Sequence, residues 1–315
     1  MRRVLFGANI PQTGTDYEVM KRVVLECEKY GFDFVWISDH LQDFLPSKSY
    51  FECWTTLSAL AASSTRIRIC TLLLNNLLRP PSLLAKMGAT LDVISNGRLE
   101  LGIGAGWYEE ECYSNGIRFP RPRERIHRLK EAIEIIMELW TKDTVSYAGK
   151  YYTLNDAALY PKPIQKPHPP IWTGIMYGKS RMLKVIAEYA DAWTVSSLYL
   201  PTPDEYQQLK EALNECCRQI DRDPNQIRGA LGVGCVIAED ENTVREKVRK
   251  FTPMSIAVKN YSAQQMRLEG TSEQLVEKLR LYTGVGVTCF VMNFPDISTY
   301  EPIALFSEKV MPAFR

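Results

Sequence analysis

The sequence predicts an α/β fold of the (β/α)8 TIM-barrel class with two insertion segments. Three observations carry that prediction. Eight short apolar runs alternate with helix-period segments along 315 residues, the rhythm of parallel strands joined by covering helices. Small and polar residues gather at the C-terminal ends of the runs, where such barrels place their chemistry. The rhythm breaks at only two places, about 141–170 and 252–270, which read as inserts within a single domain spanning 1–315. A doubly wound open sheet is the second architecture that the same alternation allows.

Each element has its own signal. "VLFGANI" reads as the first strand. The helix after it opens near Thr15 or Asp16, places Val19, Val23, Val24 and Cys27 on one face, and ends at Gly31. "FDFVWIS" is the second strand and "YFECWTTLSALAASS" the second helix. "IRICTLLL" is the third strand, followed by "PPSLLAKMGATLDVIS", a helix with proline at its start, where a missing N–H is tolerated. "RLELGIGAG" is the fourth strand and "RERIHRLKEAIEIIMELW" its amphipathic helix. The proline-rich stretch up to Pro170 reads as a hairpin and an extended excursion. "PIWTG", "DAWTVSS", "IRGALGVGCVIA" and "VTCFVMNF" complete the eight strands, and the stretch 252–270 reads as irregular.

Composition sets limits on function. Lys and Arg number 38 against 37 Asp and Glu, a net charge of +1. That balance argues against broad steering toward nucleic acid or a membrane surface. No run has the apolar length of a membrane span or a secretory leader, so a cytoplasmic location is expected. Eight cysteines occur without a C-x-x-C pair, which reads as buried free thiols. The three histidines are dispersed, with no H-x-H or H-E-x-x-H, and neither a G-x-S-x-G elbow nor a Walker A loop is present. No metal site is expected.

Collecting the strand ends gives the candidate site. The first run ends at Asn9, the second at Asp39 and His40, the third at Leu72, Leu73 and Asn75, and the fourth at Gly104, Gly106 and Trp107. The fifth ends at Thr173 and Gly174, and the sixth at Ser196 and Ser197. His40 is the acid/base candidate, because imidazole exchanges a proton near neutrality without a large shift. The plainer alternative makes Asp39 a turn cap and His40 a satisfied polar residue. Gly102, Gly104 and Gly106 alternate along one face; they either admit a ligand or relieve crowding inside the barrel. "TGIMYGKSRML" joins a strand end to a helix start, with Gly174, Gly178, Lys179 and Arg181 suited to an anion or to an ordinary capped helix. Asn75 and Asn76 suit a tight turn before Arg79.

Taken together, "GFDFVWISDHL", the long block from "TRIRICTLLL" to "GAGWYEEE", "YPKPIQKPHPPIWTG" and "YADAW" resemble the luciferase-like monooxygenase superfamily. The closest likeness is to its branch that uses the deazaflavin coenzyme F-420. The resemblance covers nearly the whole chain and implies a bacterial luciferase-like barrel acting as an oxidoreductase on a small organic molecule. FMN is the alternative cofactor. The resemblance makes His40 the proton-transfer group and Asp39 a neighbour of the cofactor ring. Leu72–Leu73 would form a non-prolyl cis peptide behind the ring, with Asn75 among the contacts. Gly104, Ala105 and Gly106 would border the ring, with Glu109 and Glu110 nearby. Gly174, Ile175, Tyr177 and Gly178 match the phosphate loop. A homodimer is also implied. Tyr147, Tyr151, Tyr152 and Tyr261 either meet a ring-bearing substrate or form a local cluster, while Lys259, Arg267 and Arg280 meet an anionic group or face water.

Overall fold

A computed structural model describes residues 3–43, 49–175, 179–195, 200–255 and 267–315. Strands and helices alternate as a (β/α)8 barrel requires, and the chain divides into two compact units. One comprises Met1–Pro11, Thr15–Trp36 and Gly174–Arg315; the other comprises Gln12–Gly14 and Ile37–Thr173.

The first unit is built on parallel strands. β1 (Leu5–Asn9) lies between β2 (Phe34–Ile37), through its residues up to Trp36, and β12 (Cys289–Asn293). β12 in turn pairs with β10 (Arg228–Ile237). The long β10 also pairs with β9 (Ala192–Val195) near its start and with β11 (Arg267–Gly270) near its end. β11 corrects the expectation of an irregular 252–270 segment: its last four residues find a free ladder edge on β10. Helices α1 (Tyr17–Lys29), α6 (Lys179–Tyr189), α7 (Pro203–Arg218), α8 (Glu241–Ser255), α9 (Ser272–Gly284) and α10 (Glu301–Lys309) belong to this unit.

Its core is aromatic. The Phe6 ring stacks on Phe290 at 5.6 Å and meets Phe306 and Phe314 edge-on at 5.4 and 5.7 Å. Each such pair contributes about 0.5–1.5 kcal/mol beyond the area it buries. Gly7 lies between these strands because a Cβ there would sit 2.1 Å from the Phe34 ring. α1 is capped by Asp16, whose carboxylate accepts from the Val19 N–H, and Gly31 follows its end at φ +76°. Met20, with Val23, Val24 and Cys27, is the buried face; Val19, expected on it, is only half-buried at its edge, and the opening at Asp16 is as expected.

In the second unit β3 (Arg68–Thr71) pairs with β5 (Leu99–Gly104), which pairs with Ile171 and Trp172 of β8 (Ile171–Ile175). The expected run "IRICTLLL" is not one strand. It stops at Thr71, passes through a cis Leu72–Leu73 peptide, and resumes as β4 (Leu74–Asn75) alongside Ile103 and Gly104. Helices α2 (Cys53–Ser63), α3 (Pro81–Ile94), α4 (Glu109–Ser114) and α5 (Pro122–Thr141) complete the unit, with an antiparallel hairpin of β6 (Thr144–Ala148) and β7 (Thr153–Ala158). The six residues of α4 were not expected from the polar "WYEEE". The hairpin was expected, and Tyr160–Pro161 and Lys166–Pro167 in the excursion after it are cis.

Candidate active site

The second unit brings its candidate residues to the ends of β3, β4 and β5 and to the loop after Ile37. Gln12 fixes that loop: its amide oxygen accepts from the Ser38 N–H at 2.8 Å, and its NH2 donates to the carbonyls of Ser38 at 2.8 Å and Phe51 at 3.0 Å. Asp39 and His40 follow at once, past the strand end.

The two have different surroundings. The Asp39 carboxylate, almost wholly buried, accepts both Arg79 Nη atoms at 2.8 and 3.0 Å and the Asn75 N–H at 2.8 Å. This fork-to-fork pairing fixes the plane of both groups. Arg79 Nη2 also donates to Glu52 at 2.6 Å, and Glu52 accepts the Trp54 and Thr55 N–H groups at the start of α2. Burial works against the Arg79 charge, but Asp39 outweighs it and raises the guanidinium above its ordinary value. At Glu52 burial pushes upward, while the two N–H donors and Arg79 prevail and hold the carboxyl below the usual range. Asp39 is therefore a clamp between the loop after β2, β4 and the start of α2.

His40 keeps 12% of its side chain exposed and places Nδ1 3.2 Å from Glu111 Oε2, whose side chain is wholly buried. The other Glu111 oxygen accepts the Leu41 N–H at 2.6 Å. A carboxylate only accepts, so against an ionised Glu111 the neutral imidazole carries its proton on Nδ1. Three rings stand edge-on to the imidazole: Tyr50 at 6.3 Å, Trp107 at 5.8 Å and Tyr108 at 6.2 Å. Burial raises the Tyr50 phenol well above its ordinary value, with help from Cys53 and Asp39, so it stays neutral.

The glycines divide between the two readings offered for them. A Cβ on Gly102 would lie 1.8 Å from the Thr71 carbonyl oxygen, and the Thr71 hydroxyl accepts the Gly102 N–H and donates to its carbonyl, both at 2.9 Å. Gly102 therefore answers to close packing. Gly106 has φ +80°, and a Cβ there would meet the Asn75 side chain at 2.5 Å. Gly104 is less confined, with Leu73 the nearest neighbour at 3.3 Å. Asn75 is a structural turn residue as well: its Oδ1 accepts the Leu77 N–H at 3.0 Å, and its Nδ2 faces Cys112 Sγ at 3.7 Å. Asn76 is different. It is buried, yet neither polar atom of its amide has a partner, and the Thr173 hydroxyl at the end of β8 is also buried without one.

Other expectations fall elsewhere. Asn9 accepts the Phe294 N–H at 3.1 Å and ties down the chain after β12. Glu109 and Glu110 are exposed on α4, with Glu111 turned inward. Gly174 and Ile175 end β8 and belong to the first unit. Tyr177, Gly178, Ser196, Ser197, Lys259 and Tyr261 lie outside the described residues. Tyr147 donates to Glu134 at 2.5 Å, and Tyr151 and Tyr152 lie under Arg128, so these three form a local cluster on α5. Arg267 pairs with Glu269 at 3.3 Å. His127 is exposed, and His168 packs against Trp140. Sequence reasoning missed Glu111, Glu52, Tyr50 and the role of Arg79.

The luciferase-like monooxygenase family model matches residues 4–288. An F420-dependent glucose-6-phosphate dehydrogenase of Microbacterium testaceum (strain StLB037) is 28% identical over 91% of this chain and 90% of its own length. An FMNH(2)-dependent dimethylsulfone monooxygenase of Pseudomonas putida is 23% identical over 96% and 90%. The solved structure of an F420-dependent secondary alcohol dehydrogenase, in complex with an F420-acetone adduct, superposes with a TM-score of 0.85 at 21% identity, covering 99% of both chains. With the family model spanning most of the sequence, the chain belongs to the luciferase-like monooxygenase family.

Proposed function

We propose that this chain is a coenzyme F-420-dependent oxidoreductase that moves a hydride between the deazaflavin and a small organic substrate, with His40 as the proton-transfer group. The observation that carries the reading is the His40–Glu111 pair: a part-exposed imidazole whose Nδ1 is held by a buried carboxylate, so that Nε2 is the nitrogen that meets the substrate. The curated relatives named F420-dependent support the choice of cofactor. The residues fit a flat ring-bearing group. Gly104, Ala105 and Gly106 add almost no side-chain bulk at the end of β5, Leu72 and Leu73 form the half-buried bulge beside them, and the Asn76 amide offers an unpaired donor and acceptor. Gly174, Ile175, Tyr177 and Gly178 are assigned by family resemblance to the phosphate end.

The bound deazaflavin would supply two-electron hydride chemistry. The protein's own part is the proton. His40 Nε2 takes it from a substrate hydroxyl in oxidation and returns it to a carbonyl in reduction, and Glu111 stabilises the imidazolium formed meanwhile. Asp39 holds the loop that carries His40 through Arg79 and the Asn75 N–H.

Among the described residues no helix is long and apolar enough to cross a membrane. We place the enzyme in the cytoplasm as a homodimer. Supporting self-association, α2 and α3 turn Ala59, Ala62, Leu83, Val93 and Ile94 outward. Light scattering on the L83E/I94E double variant checks this: a monomer is expected, and an unchanged dimer refutes it. For the cofactor, equilibrium titration with F-420 and, separately, with FMN decides. Micromolar or tighter deazaflavin binding is expected. Tight FMN binding with no deazaflavin affinity would instead favour the chemistry of the FMN-dependent relative.

A further inference from the structure

We infer that Gln12 is a positioning residue for proton transfer at His40; this rests on the oxidoreductase reading and deepens it. Gln12 is buried, and its amide takes both backbone polar groups of Ser38: Oε1 accepts the N–H and Nε2 donates to the C=O, each at 2.8 Å. A primary amide sets a donor beside an acceptor in one plane, which matches the N–H and C=O of one extended residue. Nε2 also donates to the Phe51 C=O at 3.0 Å. The backbone repeats that link. The Gln12 C=O accepts the Phe51 N–H at 3.2 Å, Thr13 bridges Tyr50, and the Ser49 C=O accepts the Gly14 N–H at 3.0 Å. One amide thus joins the segments 12–14, 38–41 and 49–51.

The loop after β2 is held residue by residue: Ser38 by Gln12, Asp39 by Arg79, and His40 and Leu41 by Glu111. Arg79 and Glu111 grip side chains and the N–H beyond the imidazole, whereas Gln12 grips the main chain ahead of it. Two extended residues span roughly 7 Å, so a rotation of about 10° at Ser38 swings the His40 backbone by about 1 Å. His40 Nδ1 stands 3.2 Å from Glu111 Oε2, at the outer limit of a good hydrogen bond, and a swing of that size parts them. Misplacing a reacting group by about 1 Å costs about 100-fold in rate. The same amide sets the spacing to Tyr50, whose ring stands edge-on to the imidazole at 6.3 Å and whose phenol hydrogen-bonds the Ser38 side chain.

The test follows the His40 ring nitrogens by NMR in cofactor-free protein isotope-labelled at histidine, with His40→Ala for assignment. It compares the wild type, Gln12→Met and Gln12→Glu. Methionine keeps the length of the side chain and loses all three hydrogen bonds; glutamate keeps the acceptor for the Ser38 N–H and loses both donor bonds. The wild type should show one tautomer, protonated on Nδ1, and both variants a mixture of the two. In single-turnover reduction of bound deazaflavin, Gln12→Met should lower the rate about 10- to 100-fold, with the deazaflavin Kd within about threefold. Combined with Glu111→Gln it should cost less than the product of the two single losses, because each undoes the same alignment. A wild type that already shows both tautomers, His40 signals unmoved in the variants, a rate within about threefold of wild type, or a fully multiplicative double variant overturns the inference. So does a loss of deazaflavin affinity as large as the loss of rate, which would make Gln12 a support of the whole site. Gln12→Glu decides if Gln12→Met does not fold, and loss of fold in both overturns it. A wild type that binds no deazaflavin sinks the oxidoreductase reading, and the positioning of His40 then stands or falls on the NMR comparison.

Discussion

Replacing Glu111 by Gln alters one atom at a side chain with no exposed surface, and its consequence follows from donor and acceptor counting. The carboxylate serves two clients: the Leu41 N–H at 2.6 Å and His40 Nδ1 at 3.2 Å. Glutamine has one acceptor oxygen. If that oxygen keeps the Leu41 N–H, the amide NH2 faces Nδ1 and donates to it, which moves the imidazole proton to Nε2. The nitrogen meant to accept the substrate proton is then already protonated. The flipped amide is worse, because it sets an NH2 against a backbone N–H in a buried place. A hydrogen bond to a charged group contributes about 1.5–3 kcal/mol, so kcat for alcohol oxidation should fall about 10- to 150-fold. The deazaflavin Kd should stay within about twofold. The assay is single-turnover reduction of bound deazaflavin across a pH series, with Glu111→Ala alongside to report the added loss of the Leu41 tether. A Glu111→Gln enzyme with kcat within about threefold of wild type and an unaltered pH profile would refute the pairing as a positioning device.

Three further outcomes follow from the same unit. Arg79→Leu strips the partner from a buried Asp39 carboxylate and should cost about 3–5 kcal/mol, seen as a large drop in Tm; adding Asp39→Asn should recover more than half, and failure to recover would mean that the pair is not what the loop depends on. Gly102→Ala drives a Cβ into the Thr71 carbonyl and should destabilise by about 1–3 kcal/mol or more, whereas Gly284→Ala, with nothing within 4 Å, should be nearly silent in the same urea titration. Glu52 is held below its usual pKa in the folded state, so its contribution is complete above the unfolded value near 4.3 and is lost as pH falls through the depressed folded value. The Tm advantage of wild type over Glu52→Gln should accordingly be full at about pH 7 and vanish only in acid; an advantage that grows on acidification contradicts the sign.

What the sequence disclosed, and what it hid, divides along a physical line. Strand runs and helix faces are local patterns, so the eight strands and most helices were legible in the residues alone. The misses depend on phase or on distance. Glu109, Glu110 and Glu111 look alike in "WYEEE", and only the short α4 turns the third one inward to His40. The one available signal was Cys112, an apolar neighbour marking the inward side of that turn. Arg79 lies 40 positions from Asp39, and no periodicity links them. For the tyrosines of the hairpin the residues allowed a substrate wall or a local cluster, and the second holds: Tyr147 donates to Glu134, and Arg128 covers Tyr151 and Tyr152.

Asp39 and His40 show why adjacency in sequence misleads about shared duty. Successive residues past a strand end point apart, and here each meets a partner from a different segment: Arg79 beyond β4 for Asp39, Glu111 on α4 for His40. Asp39 meets Arg79, and that two-point pair ties the loop after β2 to the segment beyond β4. His40 meets the Glu111 carboxylate, which orders Nδ1 and, on the function proposed above, leaves Nε2 to face the substrate. Exchanging the residues should therefore fail in both directions: Asp39→His leaves Arg79 facing a second potential cation, and His40→Asp leaves Glu111 facing a like charge. A D39H/H40D double variant that folded and turned over would show that neither partner sets the role.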